Sequence, residues 1–466
     1  MATLAARARR WLFVGALLSA VTSPGSDSAA EDPATSAERG DAWPVETRPN
    51  QEKLRPRPEA AIPPTPPSWL EAPYATGDWG GTRSWLADHG VVPTLTYAAD
   101  VQANVSGGKR QAGRYFHQIG FDLLLDLEKL AGLPGMRVHL SVAQQSGRSL
   151  TADAVGSVFT VADVCCGTGV QVADVALEQS LFSDRLELEA GRIAPGDDFL
   201  SSPLDWTFLS SAIDANPAGV TFQVPFSAYP NTTWGAHLKA RPTPGIELQL
   251  GVYDGEASFI GDGDHGLDWG FHGGAGLLML AEGAWRWNAG STAHGLPGTV
   301  SLGGFYHSGP FAVLDEPGKS ERGNGGMYLY LDQKVWSPGG PRSARGPTPF
   351  VWLTYAPDES LSQMPFFASA GVVWRGVFAS RKDDELALGG EYGWFSPKQR
   401  RQQERERAAG QDVVVQSFEG VIELGYAAQL TPWLVLEPDV QYVIRPGAGG
   451  ALRNALVLGT QIVIAF

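Results

Sequence analysis

From Val91 to the last residue, the chain consists of stretches of about 9 to 14 residues in which apolar side chains alternate with polar or small ones. Clusters of Gly, Pro, Asn and Asp separate these stretches, a pattern that indicates β-strands. One example is GIELQLGVYDG, where Ile246 and Leu248 share one face and Glu247 and Gln249 share the other. The stretches SFEGVIELGYAAQL and WLVLEPDVQYVIRP divide in the same way. Each predicted strand therefore has an apolar face and a polar face.

The pattern predicts sixteen such strands, and the connections between them alternate in length. The short ones are expected in the periplasm, and the long ones outside the cell are 147–169, 194–232, 254–273, 309–325 and 396–413. An even strand number and strands long enough to cross a bilayer at a tilt are typical of outer-membrane barrels. We therefore predict an all-β fold, a transmembrane antiparallel β-barrel. A large secreted β-sandwich or β-helix is the alternative.

The last stretch, ALVLGTQIVIAF, is almost continuously apolar up to Phe466. A barrel closes only when its last strand pairs with its first, because an open sheet edge in hydrocarbon leaves backbone groups without partners. We expect this stretch to be the closing strand, with Phe466 in the aromatic girdle at the membrane interface. We also expect the assembly machinery to recognise it.

The chain before Val91 divides into three predicted segments. Residues 1–30 have three arginines, a short apolar core and small residues before a cleavage site, which predicts a signal peptide; a signal-anchor helix is the alternative. Residues 31–73 are rich in proline and predict an extended periplasmic linker, whose reach towards periplasmic partners stays open. Residues 74–90 contain GDWGGTRSWLADHGV and predict one short periplasmic helix, after which the barrel occupies 91–466.

Charge and cysteine content narrow the functional classes. The formal net charge of −15 and the absence of a basic stripe argue against a nucleic-acid partner. The two cysteines, Cys165 and Cys166, are adjacent and cannot form a disulfide framework, although a vicinal disulfide stays open. No histidine or further cysteine lies near them at ligand spacing, so the sequence predicts neither a metal nor a cofactor.

The longest loop is the candidate site. It carries Asp197, Asp198 and Asp205 beside Trp206 and Phe208, and Arg192 lies at the end of the preceding strand. A sixteen-stranded barrel is wide enough for water, so an inward fold of this loop would narrow it. Carboxylates, guanidinium groups and aromatic rings suit the hydroxyls and C–H faces of sugars.

Each of these residues also has a structural alternative. Arg192 and an aspartate of the loop would form an ion pair that holds the loop in place, and the aromatic side chains would pack the loop's own interior. Further charged residues are expected on the lumen wall, namely Glu189, Lys239, Arg241, Glu437 and Asp439. A solvated wall explains them without any role in selectivity.

Two long blocks, LELEAGRIAPGDDFLSSPLDWTFLSSAIDANPAGVTF and FSAYPNTTWGAHLKARPTPGIELQLGVYDG, resemble the carbohydrate-selective porins of Gram-negative outer membranes, the OprB type. The resemblance extends over 76–466. It implies passive diffusion of small carbohydrates through a barrel whose third extracellular loop bends inward. The positions that match the family's block around the constriction are Arg192, Gly196, Asp197, Asp198, Phe199 and Pro203.

Several alternatives stay open beside this resemblance. They are a general or non-sugar small-solute porin and an outer-membrane barrel enzyme, although the sequence contains no serine-nucleophile, zinc or phosphate-loop motif. Outer-membrane lipid and the assembly machinery are the further expected partners, and the choice between a monomer and a homotrimer stays open.

Overall fold

The computed structural model describes residues 68–162, 164, 167–214, 216–257, 263–288, 294–341 and 343–466. The predicted signal peptide, the predicted linker up to residue 67 and the Cys165–Cys166 pair lie outside these residues. The described strands are β1 (Val91–Gly108), β2 (Ala112–Asp126), β3 (Met136–Gly147), β4 (Gly169–Leu181), β5 (Leu186–Ile193), β6 (Thr233–Thr243), β7 (Ile246–Asp254), β8 (Leu277–Trp287), β9 (Gly298–Ala312), β10 (Ser320–Gln333), β11 (Gly346–Tyr355), β12 (Phe366–Arg375), β13 (Glu385–Trp394), β14 (Phe418–Thr431), β15 (Leu434–Ile444) and β16 (Arg453–Ala465). The predicted sixteen strands are confirmed.

The strands form one closed antiparallel barrel in which each strand pairs with its neighbours in sequence and β16 pairs with β1. The closing register places Thr96 opposite Ala465 and Asp100 opposite Gln461. Phe466 extends this pairing, since its backbone N–H donates to the carbonyl of Leu95 at 2.9 Å. The final apolar stretch is therefore the closing strand, as predicted.

The two faces of each strand separate as the alternation predicts. On β7, Leu248 and Leu250 are exposed on the outer surface, whereas Glu247 and Gln249 are buried inside. On β14, Ile422 is exposed and Glu423 is buried. The outside of the barrel is apolar enough for lipid, and its inside is lined with polar and charged groups.

Most connections also alternate in length; the exceptions include 109–111, which is short, and 288–297 and 334–345, which are long. At one end, called here the short-turn end, β4–β5, β6–β7 and β14–β15 are joined by 182–185, 244–245 and 432–433. At the other, the long-loop end, the connections include 148–168, 194–232, 255–276 and 395–417. The longest connection, 194–232, lies between β5 and β6 and folds into the barrel.

Three short α-helices accompany the described strands: α1 (Thr82–Asp88), α2 (Leu127–Ala131) and α3 (Pro397–Ala408). Helix α1 confirms the predicted helix before the barrel, whereas α2 and α3 lie after Val91, where the sequence pattern predicts strands and connections without helical periodicity. Ser396 caps α3 by accepting from the N–H groups of Lys398 and Gln399, and Pro397 occupies the first turn. Helix α3 is polar on every side, so it has no apolar periodicity to detect.

No helix among the described residues is long and apolar enough to cross a membrane.

Residues 68–90 cover the end of the barrel seam. The N–H of Ala75 donates to the carbonyl of Ala465 at 2.8 Å, and the Arg83 guanidinium donates to the carbonyl of Phe466 at 2.7 Å. The rings of Trp69 and Trp433 lie 4.5 Å apart. This segment therefore ties the beginning of the described chain to the last strand at the short-turn end.

Candidate functional site

Loop 194–232 forms a folded unit inside the barrel, with its own hydrogen bonds. Short 3-10 turns, Pro195–Asp197 and Asp205–Thr207, compact its first half. The Asn216 side-chain amide donates to the carbonyls of Gly196, Phe199 and Leu200 at 2.9, 3.1 and 3.1 Å. A buried loop must satisfy its backbone groups, and Asn216 satisfies three of them at once.

The apolar side chains of the loop pack against aromatic residues of the barrel wall. Phe199, Phe208 and Ile213 are fully buried and belong to one cluster with wall residues of β7 to β13. The Phe208 and Phe350 rings meet edge to face with centroids 5.7 Å apart. Burial of these side chains fixes the loop against the inner wall.

Carboxylates on the wall hold the backbone of the loop. Glu423 on β14 accepts from the N–H groups of Leu209 and Ser210 at 2.6 and 3.0 Å. Glu391 on β13 accepts from the Ser210 hydroxyl at 2.7 Å, and Glu282 on β8 accepts from the N–H of Leu200 at 3.3 Å. Backbone N–H groups buried away from water need acceptors, and these wall carboxyl groups provide them. The loop is thus anchored across the lumen from the strand where it begins.

A second loop, 148–168, also turns inward. The N–H groups of Val158 and Phe159 donate to Glu419 at 2.7 and 2.8 Å, and the Gln441 amide donates to the carbonyl of Val161 at 2.8 Å. The two loops contact each other, since the N–H of Ser211 donates to the carbonyl of Thr160 at 3.0 Å. The sequence analysis predicted a long extracellular connection at 147–169 and no inward fold for it. The only sequence feature that is consistent with an inward position is the small and apolar composition of this loop.

Arg192 is buried at the end of β5, where its guanidinium contacts backbone carbonyls. Its guanidinium donates to the carbonyl of Thr232 at 3.1 Å and to that of Asp268. Arg192 therefore ties loop 194–232 to loop 255–276. Asp197 accepts from the N–H of Tyr229 at 3.4 Å, within the loop itself.

The acidic residues of the loop are distributed rather than clustered. Asp198 Oδ1 lies 3.4 Å from His237 Nδ1 and 3.7 Å from Lys239 Nζ, on the β6 side. Asp205 accepts from the Trp352 indole N–H at 3.0 Å, on the β11 side. Each aspartate thus meets a different part of the wall.

The predicted solute contacts of the loop differ in exposure. Asp205 and Phe208 have 0% of their surface exposed, and Trp206 has 8%. A side chain without exposed surface cannot touch a diffusing solute. Asp205 and Phe208 therefore support the loop in this conformation and do not face the channel, contrary to the expectation that they contact a solute.

The wall formed by β3 to β8 carries charges of both signs. Arg241 Nε lies 2.9 Å from Glu247 Oε2, and Arg286 lies 3.3 Å from the other oxygen of Glu247. Arg137 and His139 both contact Glu178, at 2.7 and 2.8 Å. The predicted wall residues Glu189, Lys239, Arg241, Glu437 and Asp439 lie on inward positions of β5, β6 and β15 and are mostly buried.

Some charged side chains of this wall keep contact with solvent. The exposed side-chain fractions are 29% for Arg137, 22% for His139, 20% for Glu187 and 27% for Arg286. These residues were not among the predicted site residues, although their inward positions follow from the strand alternation. A solute in the lumen would meet these groups, which donate and accept hydrogen bonds.

Comparisons with known proteins agree on one family. The sequence model of "Carbohydrate-selective porin, OprB family" matches residues 110–466. Porin B of Pseudomonas aeruginosa is 28% identical over 421 residues, which are 84% of this chain and 91% of that protein.

Solved structures give the same result. The high-pH structure of Pseudomonas putida OprB has a TM-score of 0.79 at 27% identity and covers 85% of this chain and 99% of its own. The low-pH structure of that protein, at 23% identity with a TM-score of 0.55, covers 85% and 99% and shares the fold. With a closed barrel of sixteen strands and a family match over most of its length, the chain belongs to the OprB family of carbohydrate-selective porins of the outer membrane.

Proposed function

We propose that small carbohydrates diffuse passively through the part of the lumen that the two inward loops leave open. One observation carries the proposal. Loop 194–232 is anchored across the barrel to Glu391 and Glu423, while charged side chains of the facing wall, such as Arg137 and Arg286, keep contact with solvent. The loops narrow the barrel, and the charged wall provides the surface that a solute meets.

The chemistry of this wall suits sugars. Each sugar hydroxyl donates and accepts one or more hydrogen bonds, and the wall offers guanidinium donors beside carboxylate acceptors. Because Arg137 is paired with Glu178, and Arg286 with Glu247, neither charge is available for a strong ionic bond with a solute. Weak contacts of this kind recruit a neutral solute without trapping it, as a channel requires.

This proposal includes a passive mechanism without catalysis. The wall carboxylates have structural partners: Glu423 and Glu391 bind loop 194–232, Glu419 binds loop 148–168, and Glu178 binds Arg137. Carboxylates used in this way are not poised as an acid–base pair. A general small-solute porin is the second candidate, and it differs from the first only in selectivity.

Liposome swelling separates the two candidates. Liposomes containing the purified protein are transferred to isotonic mono-, di- or trisaccharide, or to an amino acid of similar size. We expect faster swelling with sugars than with amino acids of equal size. Equal rates for solutes of equal size would favour the general porin.

Deletion of residues 202–214 tests the role of the loop. The deletion removes the anchors at Asp205, Leu209 and Ser210 and should raise conductance and abolish the sugar preference. Deletion of 398–407, within α3 at the long-loop end, is the matched control and should change neither. If the 202–214 deletion leaves conductance and sugar preference unchanged, selectivity lies with the wall alone.

We further propose that the long-loop end faces the outside of the cell. Gln403 lies in α3 at that end, and Thr431 precedes the turn 432–433 at the short-turn end. In a cysteine-free background, Gln403→Cys should react with a membrane-impermeant thiol reagent on whole cells, and Thr431→Cys should not. The reverse labelling would overturn this orientation.

The remaining partners belong to the same proposal. The apolar outer surface, which includes Leu250, Leu302 and Met327, is proposed to contact outer-membrane lipid. Strand β16 is proposed to bind the assembly machinery before the barrel closes. Chemical crosslinking in native membranes distinguishes a homotrimer from a monomer.

A further inference from the structure

A group of three potential metal ligands lies where loop 194–232 meets the wall. Glu189 on β5, Asp198 in the loop and His237 on β6 place one ligand atom each within 4.8 Å of one another. Glu189 and His237 face each other in the strand pairing, and the loop places Asp198 beside them. His237 is 2% exposed and Glu189 is 8% exposed.

The hydrogen bonds of Gln249 determine which nitrogen of His237 faces the cluster. The Gln249 amide nitrogen donates to Glu247 at 3.4 Å, so its oxygen faces His237 Nε2 at 2.9 Å. Nε2 is therefore the donor, and in the neutral ring Nδ1 carries a lone pair. Nδ1 is buried and makes no hydrogen bond within the described part of the chain.

An acidic oxygen lies close to Nδ1. The distance of 3.4 Å between His237 Nδ1 and Asp198 Oδ1 is longer than an ordinary hydrogen bond. Two acceptors in this arrangement repel each other unless a positive charge lies between them. A proton on Nδ1 or a metal ion would supply that charge.

The separation of 3.4 Å between His237 Nδ1 and Asp198 Oδ1 agrees with two ligands of a tetrahedral zinc ion, and an oxygen of Glu189 lies within 4.8 Å of both. Zinc binds imidazole nitrogen and carboxylate oxygen at about 2.0–2.2 Å, so two ligands at the tetrahedral angle lie about 3.4 Å apart. Hydrogen bonding of the second ring nitrogen, here to Gln249, is a usual feature of metal-binding histidines. Calcium and magnesium prefer sets of six or more oxygen ligands, which these three residues do not supply.

We propose that Glu189, Asp198 and His237 form a zinc site that fixes the start of loop 194–232 to the barrel wall. The ion is held by the His237 Nδ1 atom and by one oxygen of each carboxylate, with the fourth position free for water. Because Asp198 belongs to the loop and the other two ligands belong to strands, bound zinc restrains the loop.

Lys239 should weaken zinc binding at this site, which provides a further test of the proposal. Its ammonium lies 3.7 Å from the same Asp198 oxygen, and a positive charge at that distance repels a divalent cation. Replacement of Lys239 by glutamine removes the competing charge without touching a ligand. Lys239→Gln should therefore tighten zinc binding, whereas a purely structural ion pair would only lose a partner.

Isothermal titration tests the site. The protein, without a histidine tag and in a Cys165→Ser, Cys166→Ser background, is treated with a chelator, purified in detergent micelles and titrated with zinc chloride. We expect one zinc ion per chain and no comparable binding of calcium. Zinc should also slow hydrogen exchange in the peptide that contains Asp198.

Variants identify the ligands. His237→Gln and Asp198→Asn should weaken zinc binding by at least about tenfold. His139→Gln is the matched control, because His139 lies on the same inner wall beside Glu178 but outside the proposed ligand set. Heat-modifiable migration on gels verifies that each variant is folded.

Three results would overturn the proposal. They are the absence of zinc binding by the folded parent protein, unchanged zinc binding in His237→Gln, and weaker zinc binding in Lys239→Gln. Loss of binding in His139→Gln with retention in His237→Gln would place the metal elsewhere.

Discussion

At the scale of single residues, Glu423 holds the middle of loop 194–232 against the barrel wall. Its two oxygens accept from two successive backbone N–H groups, those of Leu209 and Ser210. A glutamine at this position has one acceptor, and its NH₂ group would face a second donor. A buried backbone N–H left without its acceptor costs roughly 1–3 kcal/mol.

We therefore predict that Glu423→Gln loosens this part of the loop. Hydrogen exchange of the peptide covering 204–214 should accelerate at least about tenfold, because 1.4 kcal/mol corresponds to a factor of ten. Glu178→Gln is the control, since it also neutralises an inner-wall carboxylate but has Arg137 and His139 as partners. Equal exchange in Glu423→Gln and the parent protein would show that packing alone holds the loop.

Asp205 provides a second prediction at this scale. It is fully buried, and Trp352 donates to both of its oxygens, at 3.2 and 3.0 Å. Trp352→Phe leaves the carboxylate without these bonds and should destabilise the protein by about 1–3 kcal/mol. In an Asp205→Asn background the same substitution should cost less, because the amide offers the indole N–H one acceptor oxygen instead of two. A double-mutant cycle monitored by thermal unfolding measures both costs. If Trp352→Phe lowers the stability equally in the parent and in the Asp205→Asn background, the two side chains are not energetically coupled.

At the scale of elements, helix α3 is held by one acidic residue of loop 313–319. The Asp315 carboxylate lies 3.3 Å from both Lys398 Nζ and Arg401 Nη2, and the Asp315 carbonyl accepts from Arg405 at 3.1 Å. Partial desolvation raises the pKa of Asp315, but hydrogen bonds from Arg401 and Lys398 outweigh it, so the pKa lies below its ordinary value.

The sign of this shift gives a pH dependence. A carboxyl group with a lowered pKa stabilises the docked helix above its unfolded pKa, and the stabilisation is lost as the pH falls through the lowered value. We predict that exchange of the 397–408 peptide, corrected for intrinsic rate, is faster at pH 3 than at pH 6. Asp315→Asn should abolish this difference and show fast exchange at both pH values. A difference that persists in Asp315→Asn would assign the effect to another group.

The elements also show what the sequence alone can predict. Strand faces depend on local alternation, and Glu247 and Leu248 are neighbours in sequence, so their opposite orientations could be predicted. The inward position of loop 148–168 depends on contacts such as that of Val161 with Gln441, which lie 280 residues apart. A single sequence contains no signal for such a pairing.

In the candidate site, too, local features could be predicted from the sequence and long-range contacts could not. The inward loop could be anticipated from its length and from the family resemblance. The separate destinations of Asp198 and Asp205, on β6 and on β11, could not be anticipated, since they depend on how the loop crosses the lumen. Helix α3 was missed for a different reason, because it lacks an apolar face.

At the scale of the whole molecule, stability depends on the closure between β1 and β16, because every other strand pair is sequential and this pair joins the two ends of the barrel. Phe466 contributes to closure through its hydrogen bond with Leu95 and as the acceptor for Arg83. Phe466→Ser keeps these backbone contacts but removes the aromatic side chain expected at the membrane interface and in the assembly signal, so it should lower the amount of folded, heat-modifiable protein in the outer membrane without altering synthesis. Normal amounts of folded protein would show that assembly does not depend on this aromatic side chain.

Arg83 offers a test of the same seam after assembly. It is 5% exposed, and its guanidinium lies 3.7 Å from the Tyr74 ring centroid and 4.3 Å from that of Trp79 while donating to the Phe466 carbonyl. A cation–π contact contributes about 0.5–2 kcal/mol and a hydrogen bond from a charged donor about 1.5–3 kcal/mol. Arg83→Met keeps much of the aliphatic packing and removes both contributions. Because the sheet is closed, weakening at the seam should destabilise the whole barrel, and the folded gel band should disappear at a temperature several degrees lower. Arg110→Met, at an exposed position of the long-loop end, is the control and should leave the temperature at which the folded band disappears unchanged. If Arg83→Met and the parent protein lose the folded band at the same temperature, residues 68–90 cover the seam without stabilising it.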